Sequence, residues 1–417
     1  MSMVQRPLPP AATERFHSRR EAILVAAAQE FDQHGIRGVT LAGVAARVGL
    51  QKASLNYYYR RKEDLAADCM LRSVLALRAV VDAALRQPSA PARIRAVLAG
   101  QAALLAEVAE GGRGALLSFN EIRALAQPQG ERVFEAYRQL FRSLRQCFPA
   151  SLGWSRALRN ARTHLLLVLA NGMRAWIGRY EPADYAWAAQ HLADMLLHGL
   201  AAAPRHWHER PGPQLEVGCS AAPASDVREA FLQAATALIN EQGFRGASID
   251  RIAAQLHRTK GAFYHHHANK DELIAQCFER SFAIVRGVQS AAMARTDSGW
   301  ERLLASTRAL ALFQLSDRGP LLRGSARNAL AEGARQGAVQ RGDRLTERFG
   351  LFVVGGMGEG AIAPVDAGLA AQQVACLINA ASSLRWWVPG IRPQEVLPLF
   401  VEPLFLGLLR PPSAPPA

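Results

Sequence analysis

Residues 40–65 read TLAGVAARVGLQKASLNYYYRRKEDL, and residues 248–273 read SIDRIAAQLHRTKGAFYHHHANKDEL. In the first stretch Thr40 is a good helix N-cap, and the apolar residues after it have the i, i+3, i+4, i+7 spacing of an amphipathic helix. Gly49 ends this helix and permits a left-handed turn. A second short helix follows, and the third begins at Lys62 with acidic residues in its first turn. The first stretch therefore predicts a helix-turn-helix.

The second stretch repeats the first after a shift of 208 positions. Ser248 is the cap, His257 stands at the turn where the first copy has Gly49, and Thr259 caps the second helix. The match needs no gap over about fifty residues and continues more faintly, with Trp387 in the place of Trp176. Repetition of this length indicates a duplicated unit. The pairs that coincide include Arg20 and Arg228, Leu24 and Leu232, Gly35 and Gly243, Ala45 and Ala253, Lys52 and Lys260, Lys62 and Lys270, Leu65 and Leu273, and Cys69 and Cys277.

The composition predicts an all-α protein of several domains. At 417 residues the chain is too long for one compact core. Its β-branched residues are sparse, and no alternating strand pattern occurs. We expect long helices at 19–34, 131–148, 161–180, 184–202, 370–388 and 394–409. Each copy is predicted to have a three-helix head and a larger helical body. The boundaries are 15–66 for the first head, 67–203 for the first body, 204–224 for a linker rich in proline, 225–274 for the second head and 275–410 for the second body.

The charge balance favours a polyanionic partner. The formal net charge is +14, which suits nucleic acid first and an anionic membrane surface second. The second interpretation needs a basic amphipathic helix with exposed aromatic residues, and none is evident. The five cysteines never form CxxC and suit reduced thiols. With no signal peptide and no apolar run of spanning length, the chain is predicted to be cytoplasmic, without a membrane association.

No enzyme, cofactor or metal is predicted. The sequence has no Ser/His/Asp set, HExxH or phosphate loop. His265, His266 and His267 are consecutive, and consecutive helical side chains point about 100° apart, so they cannot converge on one ion. We expect them to face DNA or to pack internally. Among Tyr57, Tyr58 and Tyr59, we expect Tyr58 or Tyr59 to be core and at least one of the three to face DNA.

Both stretches resemble the signature of TetR-like (TetR/AcrR) transcriptional regulators: a Thr cap, a Gly turn, then Lys-Gly-x-Leu-Tyr-x-Tyr-Phe and Lys-x-Glu-Leu. The resemblance covers residues 20–70 and 228–278 and is only pattern-level elsewhere. It implies a helix-turn-helix head that binds operator DNA and a body that binds a small apolar or amphipathic effector. The implied DNA contacts and helix caps are Thr40, Lys52, Ser54, Asn56, Tyr57, Tyr58, Lys62, Ser248, Thr259, Lys260, Tyr264, His265, His266 and Lys270.

The two heads differ in ways that bear on DNA binding. His257 replaces the turn glycine, Asn56 replaces a tyrosine and Ala53 a glycine of the family pattern, and His266-His267 replace the Tyr-Phe pair. Residues 1–70 hold ten basic and seven acidic residues, whereas residues 225–275 hold six of each. The first head is therefore predicted to bind phosphate more strongly.

Effector contacts are predicted from polar residues near apolar helices. The candidates are Asn120, Arg123, His164, Arg174 and Trp176. An exposed charged face is the alternative for the polar residues, and core packing is the alternative for Trp176.

In TetR-like proteins the last two helices pair with a second subunit, which implies here that 161–202 packs on 370–409 as an intramolecular pseudo-dimer. A homodimer of whole chains is the alternative. The heads would then lie about 34 Å apart, in successive major grooves. The sequence thus predicts a ligand-responsive repressor, with activation as the alternative sign of control. A TetR-fold binding or scaffold protein with one degenerate head is the competing function.

Overall fold

The computed structural model describes residues 14–119, 122, 125, 127–204, 206–210, 212–215, 217 and 227–412. These residues form helices and contain no β-strand; a single isolated bridge joins Ala201 and Ile362. The predicted all-α fold class is confirmed. None of the helices in the described ranges is long and apolar enough to cross a membrane.

The described residues of the first copy form eight α-helices. They are α1 (Glu14–Gly38), α2 (Leu41–Arg47), α3 (Lys52–Tyr58), α4 (Lys62–Ala84), α5 (Ala90–Ala109), α6 (Gln129–Leu144), α7 (Arg156–Gly172) and α8 (Tyr185–His198). A short helix, α9 (His206–Glu209), follows in the segment between the copies.

The second copy repeats this order. Its helices are α10 (Val227–Gly246), α11 (Ile249–Gln255), α12 (Lys260–His266), α13 (Lys270–Arg295), α14 (Gly299–Phe313), α15 (Glu332–Gly358), α16 (Ala367–Ala381), α17 (Leu384–Trp387), α18 (Pro393–Val396) and α19 (Glu402–Leu406).

Several expected helices are shorter or broken in the structure. The helix expected at 161–180 ends at Gly172 and continues as 3-10 turns, and the one expected at 370–388 is divided between α16 and α17. The helix expected at 394–409 contains a π-turn over 397–401, where Pro398 and Pro403 interrupt the regular hydrogen bonds. The first long helix is interrupted at Gly35, at φ 67° and ψ 159°, directly after the expected range 19–34, and a second helical segment runs to Gly38.

Each head continues into its body through one helix. The predicted head–body boundaries, 66/67 and 274/275, fall inside α4 and α13. The same buried contact holds this helix to the loop before α6 or α15: Leu117 N donates to Ser73 Oγ at 2.7 Å, and Leu322 N donates to Ser281 Oγ at 2.9 Å. Each head and its body therefore share one continuous helix, α4 in the first copy and α13 in the second.

The two copies meet at their C-terminal ends around a pseudo-two-fold axis. Leu200 N donates to Leu404 O at 3.2 Å, and Leu408 N donates to Leu196 O at 2.7 Å. Because Leu404 is Leu196 shifted by 208 and Leu408 is Leu200 shifted by 208, the second bond is the symmetry mate of the first. The duplicated chain thus reproduces a two-fold contact within one molecule.

Glycines permit this close approach. A Cβ on Gly199 would lie 2.3 Å from Phe405 O, and a Cβ on Gly407 would lie 2.4 Å from Leu197 O. Both glycines also have a positive φ, 84° and 102°, which other residues rarely adopt.

Helices α7 and α16 complete the contact between the bodies. Asn160 Nδ2 donates to Trp387 O at 2.8 Å, and the ring of Trp387 stacks on Phe141 with centroids 3.6 Å apart. One continuous hydrophobic core therefore includes buried residues of both bodies. Each head has a separate small core of its own.

Candidate nucleic-acid interface and ligand cavity

The first head forms the predicted helix-turn-helix. Thr40 Oγ1 accepts from Gly43 N at 3.1 Å and so caps α2. Val44 and Ala45 of α2 are buried against Leu55 of α3, which is itself fully buried. Gly49 forms the turn between the two helices at φ 65°. These contacts fix α3 by its apolar side and leave its polar side to solvent.

The second head uses the same construction with different residues. Ser248 caps α11 and Thr259 caps α12, each accepting a backbone N–H at 3.3 Å. His257 takes the place of the turn glycine and has φ 53°. Phe263 replaces Leu55 as the fully buried residue of the second helix.

Most predicted contact residues of α3 are on the exposed surface. Lys52, Ser54 and Asn56 are exposed, and Tyr57 is 72% exposed. Tyr58 is half-buried and stacks on Phe16 of α1, with ring centroids 4.9 Å apart. Lys62, at the start of α4, is half-buried.

Tyr59 is the core tyrosine of the three, as the sequence allowed. Its hydroxyl donates to Asp68 Oδ2 at 3.1 Å, and Arg20 contacts the same carboxylate oxygen at 2.5 Å. Burial, together with the negative charge of Asp68, raises the pKa of Tyr59 far above its ordinary value. The phenol therefore stays protonated and ties α3 to α1 and α4.

Both lysines predicted to contact DNA in the second head have a close neighbour within the protein. Lys260 is exposed, but its ammonium lies 3.3 Å from Asp250 Oδ2. Lys270 donates to Phe244 O, at the end of α10, and its ammonium lies 4.3 Å from the Phe244 ring centroid. Tyr264 and His265 are exposed, so this face differs from α3 in both charge and shape.

The three histidines of α12 have three different environments. His265 is exposed, His266 is half-buried, and His267 is 1% exposed between the rings of Phe231 and Phe263. Burial lowers the pKa of His267 and favours its neutral form. No group of three or more His, Cys, Asp or Glu in the described part of the chain is placed to hold a metal ion.

Replacing His257 by glycine is expected to stabilise the second head. A non-glycine residue at positive φ costs about 1–2 kcal/mol, so His257→Gly should raise the local stability of α11 and α12 by about 0.5–1 kcal/mol after the entropy of the glycine is counted. The reverse change, Gly49→His, should destabilise the first head similarly. Hydrogen exchange of the amides in 249–266 measures this effect, and faster exchange in His257→Gly would contradict it.

A cavity of about 800 Å3 lies between the two bodies and the heads. Its walls contain equivalent residues of both copies, such as Asp32 and Asn240, or Trp176 and Trp387. The cavity is therefore shared by the two copies and lies across their pseudo-two-fold axis.

Three of the five predicted effector residues line this cavity: His164, Arg174 and Trp176. Asn120 and Arg123 lie outside the described residues. His164 and Trp176 are each 3% exposed, and Arg174 donates to Leu116 O at 2.7 Å. Residues of the second copy, Phe278, Phe282 and Asn379 among them, complete the wall.

Sequence reasoning missed Gln101 and the whole second-copy wall. Gln101 is 4% exposed on α5 and lines the cavity. A glutamine inside the apolar run AVLAGQAALLAEV was a visible signal, because an amide is rarely buried without a partner. The second-copy residues carried no such signal.

The structure contains two helix-turn-helix domains, and the second helix of each is exposed to solvent on its polar side. The family described as “Bacterial regulatory proteins, tetR family” matches residues 23–69 and 231–277. Over 77 residues the chain is 32% identical to the Transposon Tn10 TetC protein of Escherichia coli. These residues are 18% of the chain and 38% of that protein. The chain thus spans about two fifths of the length of this curated relative.

Solved structures of similar proteins include apo AibR, with 21% identity over 40% of this chain and 88% of that chain and a TM-score of 0.33. They also include a TetR family transcriptional regulator, PfmR from Thermus thermophilus, with 23% identity over 43% of this chain and 99% of that chain and a TM-score of 0.36. Because these scores are below 0.5, the assignment rests on the two family matches and the helices above. The chain therefore carries two domains of the tetR regulatory-protein type in tandem.

Proposed function

We propose that the chain is a transcriptional repressor that binds operator DNA through both heads and is released by a small apolar or amphipathic effector. In this role it acts in the cytoplasm. The observation that carries the proposal is the exposure of the polar side of α3 and of α12, while their apolar sides are buried in the heads. A helix held in this way can enter the major groove without breaking its packing contacts within the head.

The charge of the first head supports phosphate binding. Lys52 and Arg60 are exposed, and no acidic residue occurs between residues 52 and 62. Backbone N–H groups at the start of α3 and these cations fix the register on the duplex, and Asn56 and Tyr57 can reach base edges.

Release by an effector is supported by contacts between the cavity wall and α1. Asn328 Nδ2, in the second body, donates to Asp32 O at 2.7 Å, near the end of α1 in the first head. Arg174 of the first body lies 3.8 Å from Asp32 Oδ1. All three residues line the cavity. A molecule that changes the spacing of the bodies would therefore move the first head and lower its affinity for DNA.

The competing function is a binding or scaffold protein whose second head no longer reads DNA. The pairing of Lys260 with Asp250 favours it, because this lysine already has an acidic neighbour. A DNA site selected from a random pool would contain one half-site under this alternative and two under the repressor proposal.

The DNA-binding proposal is tested by paired lysine variants. Lys52→Ala should weaken binding to a selected site about tenfold, since a bond to a charged group contributes about 1.5 kcal/mol. It should also reduce the slope of log affinity against log salt by about 1. Lys260→Ala should weaken binding less than threefold, because Asp250 already offsets its charge. Fluorescence anisotropy with labelled duplex measures both variants.

Asp250→Asn is the matched control, because it removes the acid from Lys260 and should strengthen binding. Equal losses in Lys52→Ala and Lys260→Ala would contradict the ranking of the heads. Full retention of affinity in the double variant would contradict DNA binding by these faces.

A further inference from the structure

Among the described residues, three that line the shared cavity each hold a buried polar atom without a hydrogen-bond partner. They are Gln101 Oε1, His164 Nδ1 and Trp176 Nε1. A buried polar atom left without a partner costs about 1–3 kcal/mol, so three of them in one cavity wall point to a ligand that completes their bonds.

The second copy fixes which atom of His164 is free to accept. His164 Nε2 lies 3.1 Å from Ala380 O, and the imidazole stacks on Phe400 with centroids 5.4 Å apart. A carbonyl oxygen only accepts, so Nε2 carries the hydrogen and Nδ1 presents a lone pair. Burial lowers the pKa of His164 to about 4, which keeps the ring neutral. Residues of the cavity wall thus hold two unpartnered acceptors, on His164 and Gln101, and one unpartnered donor, on Trp176.

Two of these polar groups, those of Gln101 and His164, have no counterpart in the second copy. Gln101 and Leu310 occupy equivalent positions, because each lies the same number of residues after the N-cap of its helix, Ser89 or Ser298. His164 and Ala375 are likewise equivalent, because each lies the same number of residues after its helix N-cap, Ser155 or Asp366. Leu310 and Ala375 both line the cavity. The cavity walls are related by the pseudo-two-fold axis, but the three unpartnered atoms are on one side, which predicts one ligand for each chain.

The remaining lining defines an aromatic, uncharged molecule. Phe119, Tyr137 and Trp387 form a continuous row, with centroid separations of 5.3 and 5.9 Å. The lining arginines are already engaged: Arg174 lies 3.8 Å from Asp32, Arg327 donates to Gly324 O, and the others contact Glu347, Glu332 or Ser383. A negative group would have to compete with these neighbours.

We propose that this cavity binds one uncharged, hydroxylated aromatic molecule per chain, with hydroxyl groups donating to Gln101 and His164 and an oxygen accepting from Trp176. The proposal rests on the effector part of the proposed function and gives that effector a chemical class. Second-copy residues take part because Ala380 orients His164 and Trp387 supplies part of the aromatic wall.

Calorimetric titration of the intact chain without DNA tests the proposal. The probes are a dihydroxybiphenyl and the corresponding dimethoxybiphenyl, which keeps the rings but cannot donate. We expect one dihydroxybiphenyl per chain and binding about tenfold tighter than the ether, since two donated bonds are lost. Two molecules per chain, equal affinities, or no binding of the dihydroxy compound would each overturn it.

The variant Gln101→Leu introduces the residue that the second copy has at the equivalent position. It should weaken the dihydroxy compound about three- to tenfold and leave the ether unchanged. Gln373→Leu is the matched control, because Gln373 is also buried with an unpartnered amide but does not line the cavity. Equal effects of the two variants would overturn the site. The comparison of the two probes on the unaltered chain holds even if a variant folds poorly, and neither result depends on DNA binding.

Discussion

Light scattering of the purified, DNA-free chain is expected to give a mass of 45 kDa, that of one chain. The bodies already cover each other's C-terminal faces through α7, α16 and the symmetric bonds at Leu200 and Leu408. Pairing of the first copy with the first copy of another chain would require equivalent faces. The second helix of the contact is regular in α8 but is broken around the π-turn at 397–401 in the second copy. A stable mass near 90 kDa would contradict this prediction.

Gly407→Ala should then destabilise the chain strongly, by about 4 kcal/mol of unfolding free energy. The added methyl group would meet Leu197 O at 2.4 Å with φ at 102°, which combines backbone strain of about 1–3 kcal/mol with overpacking of similar size. Gly390→Ala is the control, since Gly390 has φ 75° but nothing within 4 Å, and it should cost only about 1 kcal/mol. Denaturant titration compares them, and equal losses would show that the close approach is unimportant.

The selected operator is expected to have two unlike half-sites. The exposed residues Asn56 and Tyr57 of α3 correspond to Tyr264 and His265 of α12, so the two heads present different groups to the bases. A homodimer has to read an inverted repeat, whereas a fused pair does not. Replacing one half-site by the inverted copy of the other should weaken binding about 10- to 100-fold, at about 1–3 kcal/mol for each mismatched base pair.

A double variant provides the matched test of this asymmetry. Asn56→Tyr with Tyr57→His gives the first head the exposed side chains of the second, and it should shift selection towards an inverted repeat of the second half-site. Sequencing of DNA selected from a random pool measures both proteins. Selection of a perfect inverted repeat by the unaltered chain would contradict the prediction.

Local sequence signals predicted the heads well. A cap such as Thr40 or Ser248 acts on a backbone N–H three residues away, and a turn at Gly49 or His257 depends on one dihedral angle, so the sequence alone contains the cause. His257 could be placed at positive φ because the duplicated copy has glycine there.

The cavity could not be predicted in the same way. Periodicity indicates which side of α5 or α7 is apolar, but the space between two bodies depends on how segments some two hundred residues apart fit together. His164 illustrates this, since its orientation comes from Ala380 of the other copy. The end of α7 at Gly172, with 3-10 turns after it, was likewise missed because the following residues still have an apolar pattern.

The fusion also changes what mutation can explore at the centre of the molecule. In a regulator assembled from two identical chains, every codon change alters both sides of the axis at once. In this gene the codons for His164 and Ala375 are separate, as are those for Gln101 and Leu310. Substitutions can therefore accumulate in one wall of the central cavity without changing the other. The cavity can in this way become complementary to an asymmetric molecule, which a strictly symmetric cavity cannot.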